Sequence, residues 1–219
     1  MSELLSSERY IAISGLIGAG KSTLADALGA AMKMKVYHEE VKENPYLAPF
    51  YTNMKEHAFA LQVHLLERRM CQQQQIMWTQ RTTDSERGVV QDRSIYEDLV
   101  FARMLHKQGL MSELNLQTYH QLFKTVLKML SAPSLIVYLD VAPEEALRRI
   151  KQRGRPMEAG ITLQYLTDLH AEYEAFIDDI SKSIPVLRID YVIFHSTDAV
   201  IKAIKAHFAK SNVRAAEME

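Results

Sequence analysis

The chain has 219 residues, enough for one domain of ordinary size, with 47% hydrophobic and 24% charged residues. Its 26 basic and 27 acidic residues give a formal net charge of -1, which does not favour binding of nucleic acid through overall charge. The single cysteine, Cys71, excludes an intrachain disulfide and a cysteine-rich zinc site. The sequence lacks an apolar run of the ~20 residues that a membrane helix needs, and its first residues do not resemble a secretory signal. We therefore expect a cytoplasmic protein without a membrane or nucleic-acid partner.

The predicted elements alternate between short apolar strands and amphipathic helices. In chain order they are strand Tyr10–Ser14, helix Lys21–Met32, strand Met34–His38, helix Glu56–Gln80, strand Gly88–Gln91, helices Ser94–Lys107 and Leu114–Leu130, strand Ser134–Leu139, helices Pro143–Gln152 and Thr162–Ile180, strand Pro185–Ile189 and helix Ala199–Ala209. This alternation predicts an α/β fold, a five-stranded parallel sheet flanked by helices. Residues 1–210 should form one domain, and residues 211–219 a polar, mobile tail. Ligand-binding residues should follow the strands.

The first strand leads into a glycine-rich loop, residues 15–22, that reads G-L-I-G-A-G-K-S. This is the complete phosphate-loop pattern G-x-x-x-x-G-K-[ST], between a strand and a helix as the motif requires. Backbone N–H groups of such a loop surround phosphate oxygens, and the following helix points its positive end at them. Lys21 can reach the terminal phosphates, and the Ser22 hydroxyl can bind Mg²⁺. We expect the loop to hold a nucleoside triphosphate through Gly15, Gly18, Ala19, Gly20, Lys21, Ser22 and Thr23.

The second strand ends in an acidic pair, Glu39 and Glu40. An acid at this strand end faces the ligand crevice and could accept a hydroxyl proton, although two solvated surface acids are an equally good interpretation. The glutamine tract Gln72–Gln75 lies on the next predicted helix and is interpreted as a solvated face.

The third strand is followed by Gln91-Asp92-Arg93-Ser94. Asp92 could organise the water shell of Mg²⁺ or cap the next helix, and Arg93 could bridge an acceptor and a donor. Further along, residues 148–155 read R-R-I-K-Q-R-G-R. Because Gly154 breaks the helix, Arg153 and Arg155 should lie on a turn that can close over a triphosphate as a lid. The alternative is a basic surface patch.

These motifs favour one class of phosphate-loop protein. The chain has no Asn-Lys pair, so the guanine-reading N-K-x-D of GTPases is absent. Transport ATPases and helicases usually have longer chains. Small-molecule kinases are therefore the leading class.

The sequence resembles the deoxyribonucleoside kinase family, in the branch of deoxycytidine, deoxyguanosine and bacterial deoxyadenosine kinases. The resemblance runs from about Tyr10 to about Ile189. Its five blocks are the phosphate loop; E-E-V-K-E-N-P-Y-L from Glu39; F-Y at Phe50–Tyr51 with Gln62; D-R-S-I-Y-E-D from Asp92; and R-x-x-x-R-G-R from Arg149 with L-H-x-x-Y-E ending at Glu174. It implies a phosphate-loop kinase fold with an arginine-rich lid. It also implies transfer of a phosphoryl group from ATP, with Mg²⁺, to the 5′-hydroxyl of a deoxynucleoside in nucleotide salvage.

The family's catalytic roles carry over to individual positions of this sequence. The resemblance implies that Glu39 is the general base, with Glu40 as the neighbour to which the assignment could slip. It implies that Ser22 and Asp92 organise Mg²⁺. It places catalytic positive charge on Lys21, Arg93, Arg149 and Arg153, and lid contacts to ATP on Arg149, Arg153 and Arg155.

The substrate-binding roles carry over in the same way. The resemblance implies that Tyr51 and Glu174 bind the 3′-hydroxyl and that Gln62 and Arg69 bind the base. Because the segment Asp98–Phe101 is one residue shorter than in relatives, either Glu97 or Asp98 can face the base. An amide beside a charged wall suits a base with an exocyclic amine, so deoxyadenosine is favoured, with deoxycytidine and deoxyguanosine next.

Two alternatives remain open at this point. A nucleoside monophosphate kinase shares the loop, sheet and lid, and a non-catalytic nucleotide-binding subunit can share the fold. The resemblance also implies a homodimer, formed through the helices around Glu56–Gln80 and Ser94–Lys107.

Overall fold

The computed structural model describes residues 10–39, 44–82 and 88–216. Its five strands form one parallel sheet in the order β2-β3-β1-β4-β5. The strands are β1 (Tyr10–Gly15), β2 (Lys35–Tyr37), β3 (Val89–Asp92), β4 (Leu135–Asp140) and β5 (Val186–Asp190). The predicted α/β fold with a five-stranded parallel sheet is thereby confirmed.

Eight helices are described: α1 (Lys21–Met32), α2 (Leu47–Thr52), α3 (Met54–Arg81), α4 (Asp98–Lys107), α5 (Glu113–Leu127), α6 (Pro143–Arg153), α7 (Leu163–Ile180) and α8 (Thr197–Ala216). Short 3₁₀ turns cover Ile95–Glu97 and Pro156–Glu158. Among these described helices, none is both long enough and apolar enough to cross a membrane.

Three features depart from the predicted elements by more than three residues. The one-and-a-half-turn helix α2 was not predicted, because N-P-Y-L-A-P has too few residues for a helical period and two prolines. The predicted helix from Ser94 opens as the 3₁₀ turn, where the Glu97 carboxylate accepts the N–H of Ser94 at 3.0 Å. Helix α8 ends at Ala216 rather than Ala209, so it enters the segment predicted as a tail; residues 217–219 lie outside the described range.

The central strands are buried on both faces. Every residue of β1 is buried, as are the first five of β4, because helices cover both sides of a parallel sheet. The polar residues of interest follow the carboxyl ends of β1, β2 and β3. In a parallel sheet these ends share one edge, so the fold brings the three motifs together there.

Candidate active site

The loop after β1 has the conformation that phosphate binding requires. Gly15, Gly18 and Gly20 have positive φ angles of 143°, 84° and 98°. A Cβ atom at Gly18 would lie 2.6 Å from the carbonyl oxygen of Ala146, so only glycine fits this turn. The loop leads directly into α1, whose first turn carries the exposed Ser22 and Thr23. Within the loop, Ala19 is buried.

Lys21 is buried inside this loop. Its Nζ donates to the carbonyl oxygens of Gly15 and Leu16, at 3.0 and 2.7 Å. Burial, and after it the like charge of Arg93, lower the pKa of Lys21 from 10.5 to about 8. The ammonium group therefore lies where it can contact phosphate oxygens. Its lowered pKa means that it loses its proton more readily than an exposed lysine does.

Ser22 and Asp92 meet at the end of β3. The Ser22 hydroxyl donates to Oδ2 of Asp92 at 2.5 Å. The other oxygen of this buried carboxylate, Oδ1, has no hydrogen-bond partner among the described residues. A hydroxyl beside a carboxylate with an unpartnered oxygen fits Mg²⁺, which prefers oxygen ligands.

Glu39 lies directly after β2, and its side chain is 24% exposed. Its carboxylate accepts hydrogen bonds from Arg69 Nη2 at 2.6 Å and Arg93 Nε at 3.2 Å. Burial alone would raise the pKa of Glu39, but Arg93, Arg69 and Lys21 together lower it to about 2. Glu39 is therefore ionised at neutral pH. Glu40, the alternative acid, lies outside the described residues.

Arg93 lies between the side chains of Glu39, Glu97 and Tyr173 and donates hydrogen bonds to all three. Its φ of 67° is left-handed, which is rare outside glycine and is typical of functional sites. Its guanidinium donates to Glu97 and to the Tyr173 hydroxyl, which in turn donates to Glu97. The ring of Phe101 lies 5.0 Å from the guanidinium carbon. These contacts, together with that to Glu39, fix Arg93 beside the phosphate loop.

Gln62, Arg69 and Asp98 form a second polar wall. Gln62 and Arg69 lie two turns apart on one face of α3, and Arg69 forms an ion pair with the fully buried Asp98. Glu97 points elsewhere, to Arg93 and to the Ser14 hydroxyl at 3.1 Å. Of the two acids that the sequence left open, Asp98 is therefore the one that lies beside Arg69.

Several buried atoms of this wall lack hydrogen-bond partners within the described part of the chain. They are Gln62 Oε1, Arg69 Nε, Asp98 Oδ2 and the Tyr119 hydroxyl. Tyr119 lies on α5, and the charge of Arg69 opposes the rise in its pKa that burial causes. Because unpartnered buried polar atoms are rare and costly, a group of them indicates a polar ligand site. Sequence reasoning missed Tyr119, which reads as an ordinary core position of an amphipathic helix.

Tyr51 and Glu158 lie on two elements that pack against each other. Helix α2, which carries Tyr51, packs against the 3₁₀ turn that ends at the buried Glu158. Burial raises the pKa of Tyr51, and the nearby Tyr165, Glu158 and Glu39 raise it further. The phenol is therefore protonated and can donate a hydrogen bond.

The structure does not bring Glu174 to Tyr51, although the resemblance implies that both bind the 3′-hydroxyl. The Glu174 carboxylate accepts from Arg188 Nη2 at 2.8 Å and from the Tyr138 hydroxyl at 3.2 Å. These contacts hold it against β4 and β5. The acid that the fold brings to Tyr51 is Glu158, three residues after Arg155 in the lid turn, and this spacing was the available signal in the sequence.

The lid arginines have different partners. Arg153 Nη2 donates to both oxygens of Glu158 at 2.8 and 2.7 Å, and Arg155 reaches the same carboxylate at 3.4 Å. The intervening Gly154 ends α6 in a left-handed conformation, as the sequence predicts. Both guanidinium groups stay partly exposed, so they can leave Glu158 for an incoming anion.

Arg149 is buried and joins the phosphate loop to the segment after β5. It donates to the carbonyl oxygens of Ala19, Tyr191 and Val192 at 3.1, 2.8 and 2.8 Å. The ring of Phe194 lies 4.3 Å from its guanidinium carbon. Arg149 therefore braces the loop, whereas the other two arginines are placed to move.

The phosphate loop, its buried lysine and the acids at the strand ends define a phosphate-loop kinase. A family model described as deoxynucleoside kinase matches residues 11–213. The chain is 47% identical to a deoxyadenosine kinase of Dictyostelium discoideum over 91% of this chain and 79% of that protein. It is 35% identical to a deoxyadenosine/deoxycytidine kinase of Bacillus subtilis over 87% of each.

A solved structure gives the same result. The deoxyadenosine kinase from M. mycoides, with products dCMP and a flexible dCDP bound, matches with a TM-score of 0.79 and 26% identity over 92% of this chain and 99% of that one. The chain therefore belongs to the deoxynucleoside kinase family, and it is a transferase.

Proposed function

We propose that the chain transfers the γ-phosphoryl group of ATP to the 5′-hydroxyl of a deoxynucleoside, with deoxyadenosine preferred and deoxycytidine next, in nucleotide salvage. The observation that carries the proposal is the juxtaposition of Glu39 with the wall of Gln62, Arg69 and Asp98. The wall of Gln62, Arg69 and Asp98 can form hydrogen bonds with a base at one end of the site, and the phosphate loop can bind phosphate at the other end. Relatives named for deoxyadenosine support the base preference.

Glu39 accepts the proton of the 5′-hydroxyl. Its low pKa keeps it ionised but makes it a weak base, which is sufficient because phosphoryl transfer passes through a loose transition state and the hydroxyl loses its proton late. Arg69 and Arg93 hold the carboxylate in one orientation, so that a bound hydroxyl meets an acceptor already in place.

Positive charge surrounds the transferring group. Lys21 and Arg93 supply it from the loop and from β3, and Arg153 and Arg155 add it when they leave Glu158. Ser22 and Asp92 would hold Mg²⁺, and the metal ion would supply further positive charge to the phosphate oxygens.

Tyr51 and Glu158 clamp the sugar. A 3′-hydroxyl can donate to the Glu158 carboxylate and accept from Tyr51. Because Glu158 also holds Arg153, a sugar bound to this carboxylate competes with the arginine and favours its release toward the phosphates. Substrate binding and lid movement are thereby coupled.

The base wall suits an exocyclic amine. Gln62 Oε1 and Asp98 Oδ2 are acceptors without donors in the described part of the protein, and Arg69 Nε is a donor without an acceptor. Adenine and cytosine each present an amine beside a ring nitrogen that accepts, which would satisfy all three atoms. Thymine presents a carbonyl oxygen where the amine would be, and it would leave the carboxylate unpartnered.

We further propose that the protein is a homodimer in the cytoplasm. Large apolar side chains are exposed on α3 and α5, among them Trp78 at 71% and Leu114 at 72%, and such side chains favour burial against another chain. Helix α4, which the resemblance implies is in the interface, packs mainly against α3, α5 and α7. The cytoplasmic location rests on the single cysteine.

The sugar clamp gives a direct test of the proposed substrate. Replacing Glu158 by glutamine should lower kcat/KM for deoxyadenosine by ~10–100-fold, because the 3′-hydroxyl then donates to a neutral amide oxygen and no longer to a carboxylate. The same change at Glu174 should leave kcat/KM within about threefold. With 2′,3′-dideoxyadenosine, which lacks the 3′-hydroxyl, the loss in Glu158→Gln should nearly vanish. An equal loss with both substrates would contradict the clamp and leave Glu158 only a lid contact.

Lys21 gives a pH test. Because its pKa is lowered to about 8, kcat/KM for ATP should fall as the pH rises through about 8, since the neutral amine cannot bind phosphate. At saturating ATP the fall in kcat should begin at higher pH, because bound phosphate favours the charged form. A kcat/KM for ATP that stays constant to about pH 10 would contradict the role of Lys21.

A further inference from the structure

A chain of hydrogen-bonded amides lies behind Glu39. Gln72 Nε2 donates to the carbonyl oxygen of His38, the residue before Glu39, at 2.7 Å. Gln72 Oε1 accepts from Gln91 Nε2 of β3 at 2.6 Å. The Tyr10 hydroxyl of β1 then contacts Gln91 Oε1. This series of hydrogen bonds thus runs from the middle of the sheet to the backbone that carries the proposed base.

The same hydroxyl lies 3.0 Å from Oε1 of Gln73, whose Nε2 donates to the carbonyl oxygen of Ser131 at 3.0 Å. Tyr10, Gln73 and Gln91 are fully buried, whereas Gln74 and Gln75 are exposed. The glutamine tract is therefore not one solvated face, as its sequence suggested. Its first two members belong to one polar network, in which Gln73 is buried and Gln72 is half-buried and makes an exposed hydrogen bond to His38.

The orientation of each amide follows from the two ends of the network. The carbonyls of His38 and Ser131 can only accept, so Gln72 and Gln73 must turn their NH₂ groups toward them. Gln72 Oε1 then faces Gln91, which must donate. Gln91 and Gln73 both present an oxygen to Tyr10, whose pKa is raised by burial and which has one proton to share. A carboxylate could therefore not replace the Gln72 amide, since it has no donor for His38.

We propose that Gln72 is a positioning residue that fixes Glu39 for proton acceptance through the His38 carbonyl. Strand β2 has three residues and lies at the edge of the sheet, where β3 is its one neighbour among the described strands. Its end therefore has few ladder hydrogen bonds of its own. Gln72 ties this end to the buried Gln91, so that the backbone before Glu39 is anchored to the centre of the sheet.

This proposal rests on the proposed role of Glu39 as the base. Catalysis of this kind depends on small displacements, since a misplacement of ~1 Å can cost about 10²-fold in rate. A positioning role predicts an effect on kcat that depends on the presence of the Glu39 carboxylate. A structural role predicts a loss of stability that does not depend on it.

The test is a double-mutant cycle between the two residues. Gln72→Leu removes both hydrogen bonds of the amide. Gln72→Glu keeps an acceptor for Gln91, removes the donor and adds a negative charge. Gln74→Leu is the matched control on the exposed part of the tract. We expect Gln72→Leu and Gln72→Glu to lower kcat by ~10-fold with KM for the deoxynucleoside within about threefold. Gln74→Leu should keep the wild-type kcat. In a Glu39→Gln background, Gln72→Leu should cause no further loss of kcat.

The outcomes separate the two proposals. If Glu39→Gln lowers kcat while Gln72→Leu and Gln72→Glu do not, the positioning role of Gln72 is overturned and the base assignment stands. An equal loss from Gln72→Leu with and without the Glu39 carboxylate would also overturn it. Full turnover by Glu39→Gln alone would overturn the base assignment, and this proposal with it. Unfolding temperatures of all variants identify any loss that comes from the fold.

Discussion

Replacing Glu39 by glutamine should lower kcat by about 10²–10⁴ and leave deoxynucleoside binding almost unchanged. Glutamine has the shape of glutamate, and its single carbonyl oxygen can accept from one of the two arginines that bind the two oxygens of Glu39, but its amide cannot take a proton. The removal of the negative charge also leaves the two arginines partly unneutralised, so the unfolding temperature should be measured alongside. The decisive comparison is kcat in steady-state assays against the dissociation constant from equilibrium titration.

Glu40 provides the matched control for this change. The two acids are adjacent in sequence, and only the carboxylate of Glu39 is expected to act as base. Glu40→Gln should therefore retain kcat within about threefold. Unchanged turnover in Glu39→Gln, or a larger loss in Glu40→Gln, would contradict the assignment of the base.

Replacing Asp98 by asparagine should lower kcat/KM for deoxyadenosine by ~10²–10³. The change removes a charge-assisted hydrogen bond to the amine and leaves Glu39 as the one counter-charge of the buried Arg69 among the residues that the structure describes. Thymidine offers this wall a carbonyl oxygen, which the asparagine NH₂ can meet. The ratio of kcat/KM for deoxyadenosine to that for thymidine should therefore fall, which a general loss of folding would not cause.

Asp140→Asn is the control for this charge. Asp140 is also paired with an arginine, Arg188 at 2.8 Å, but outside the site. Asp140→Asn should leave the ratio of kcat/KM for deoxyadenosine to that for thymidine unaltered. A selectivity ratio in Asp98→Asn within about threefold of the wild type would contradict the role of Asp98 in base recognition.

The parts of the structure that were predictable from sequence are those set by local pattern. The strand, loop and helix around Lys21 follow from glycine spacing and apolar periodicity, and the parallel sheet follows from the alternation of elements. Helix α2 escaped prediction because six residues, interrupted by proline, show no period. Its stability comes from packing against α3 and the lid turn.

The parts that were not predictable depend on which side chains meet across elements. Glu174 and Glu158 both lie in the block that ends the resemblance, and the sequence does not show that Arg188 draws the first toward β5. Glu158 comes near Tyr51 because α2 packs on the lid turn. The contacts of Gln72 could likewise not be predicted from a run of four glutamines, since its partners lie at the end of β2 and in β3.

The central claim is tested most directly by ATP consumption in the presence of each of the four deoxynucleosides, at low and high concentration. We expect turnover with deoxyadenosine well above the others and with deoxycytidine next, each giving a 5′-monophosphate. Turnover with a nucleoside monophosphate, and none with any deoxynucleoside, would contradict it.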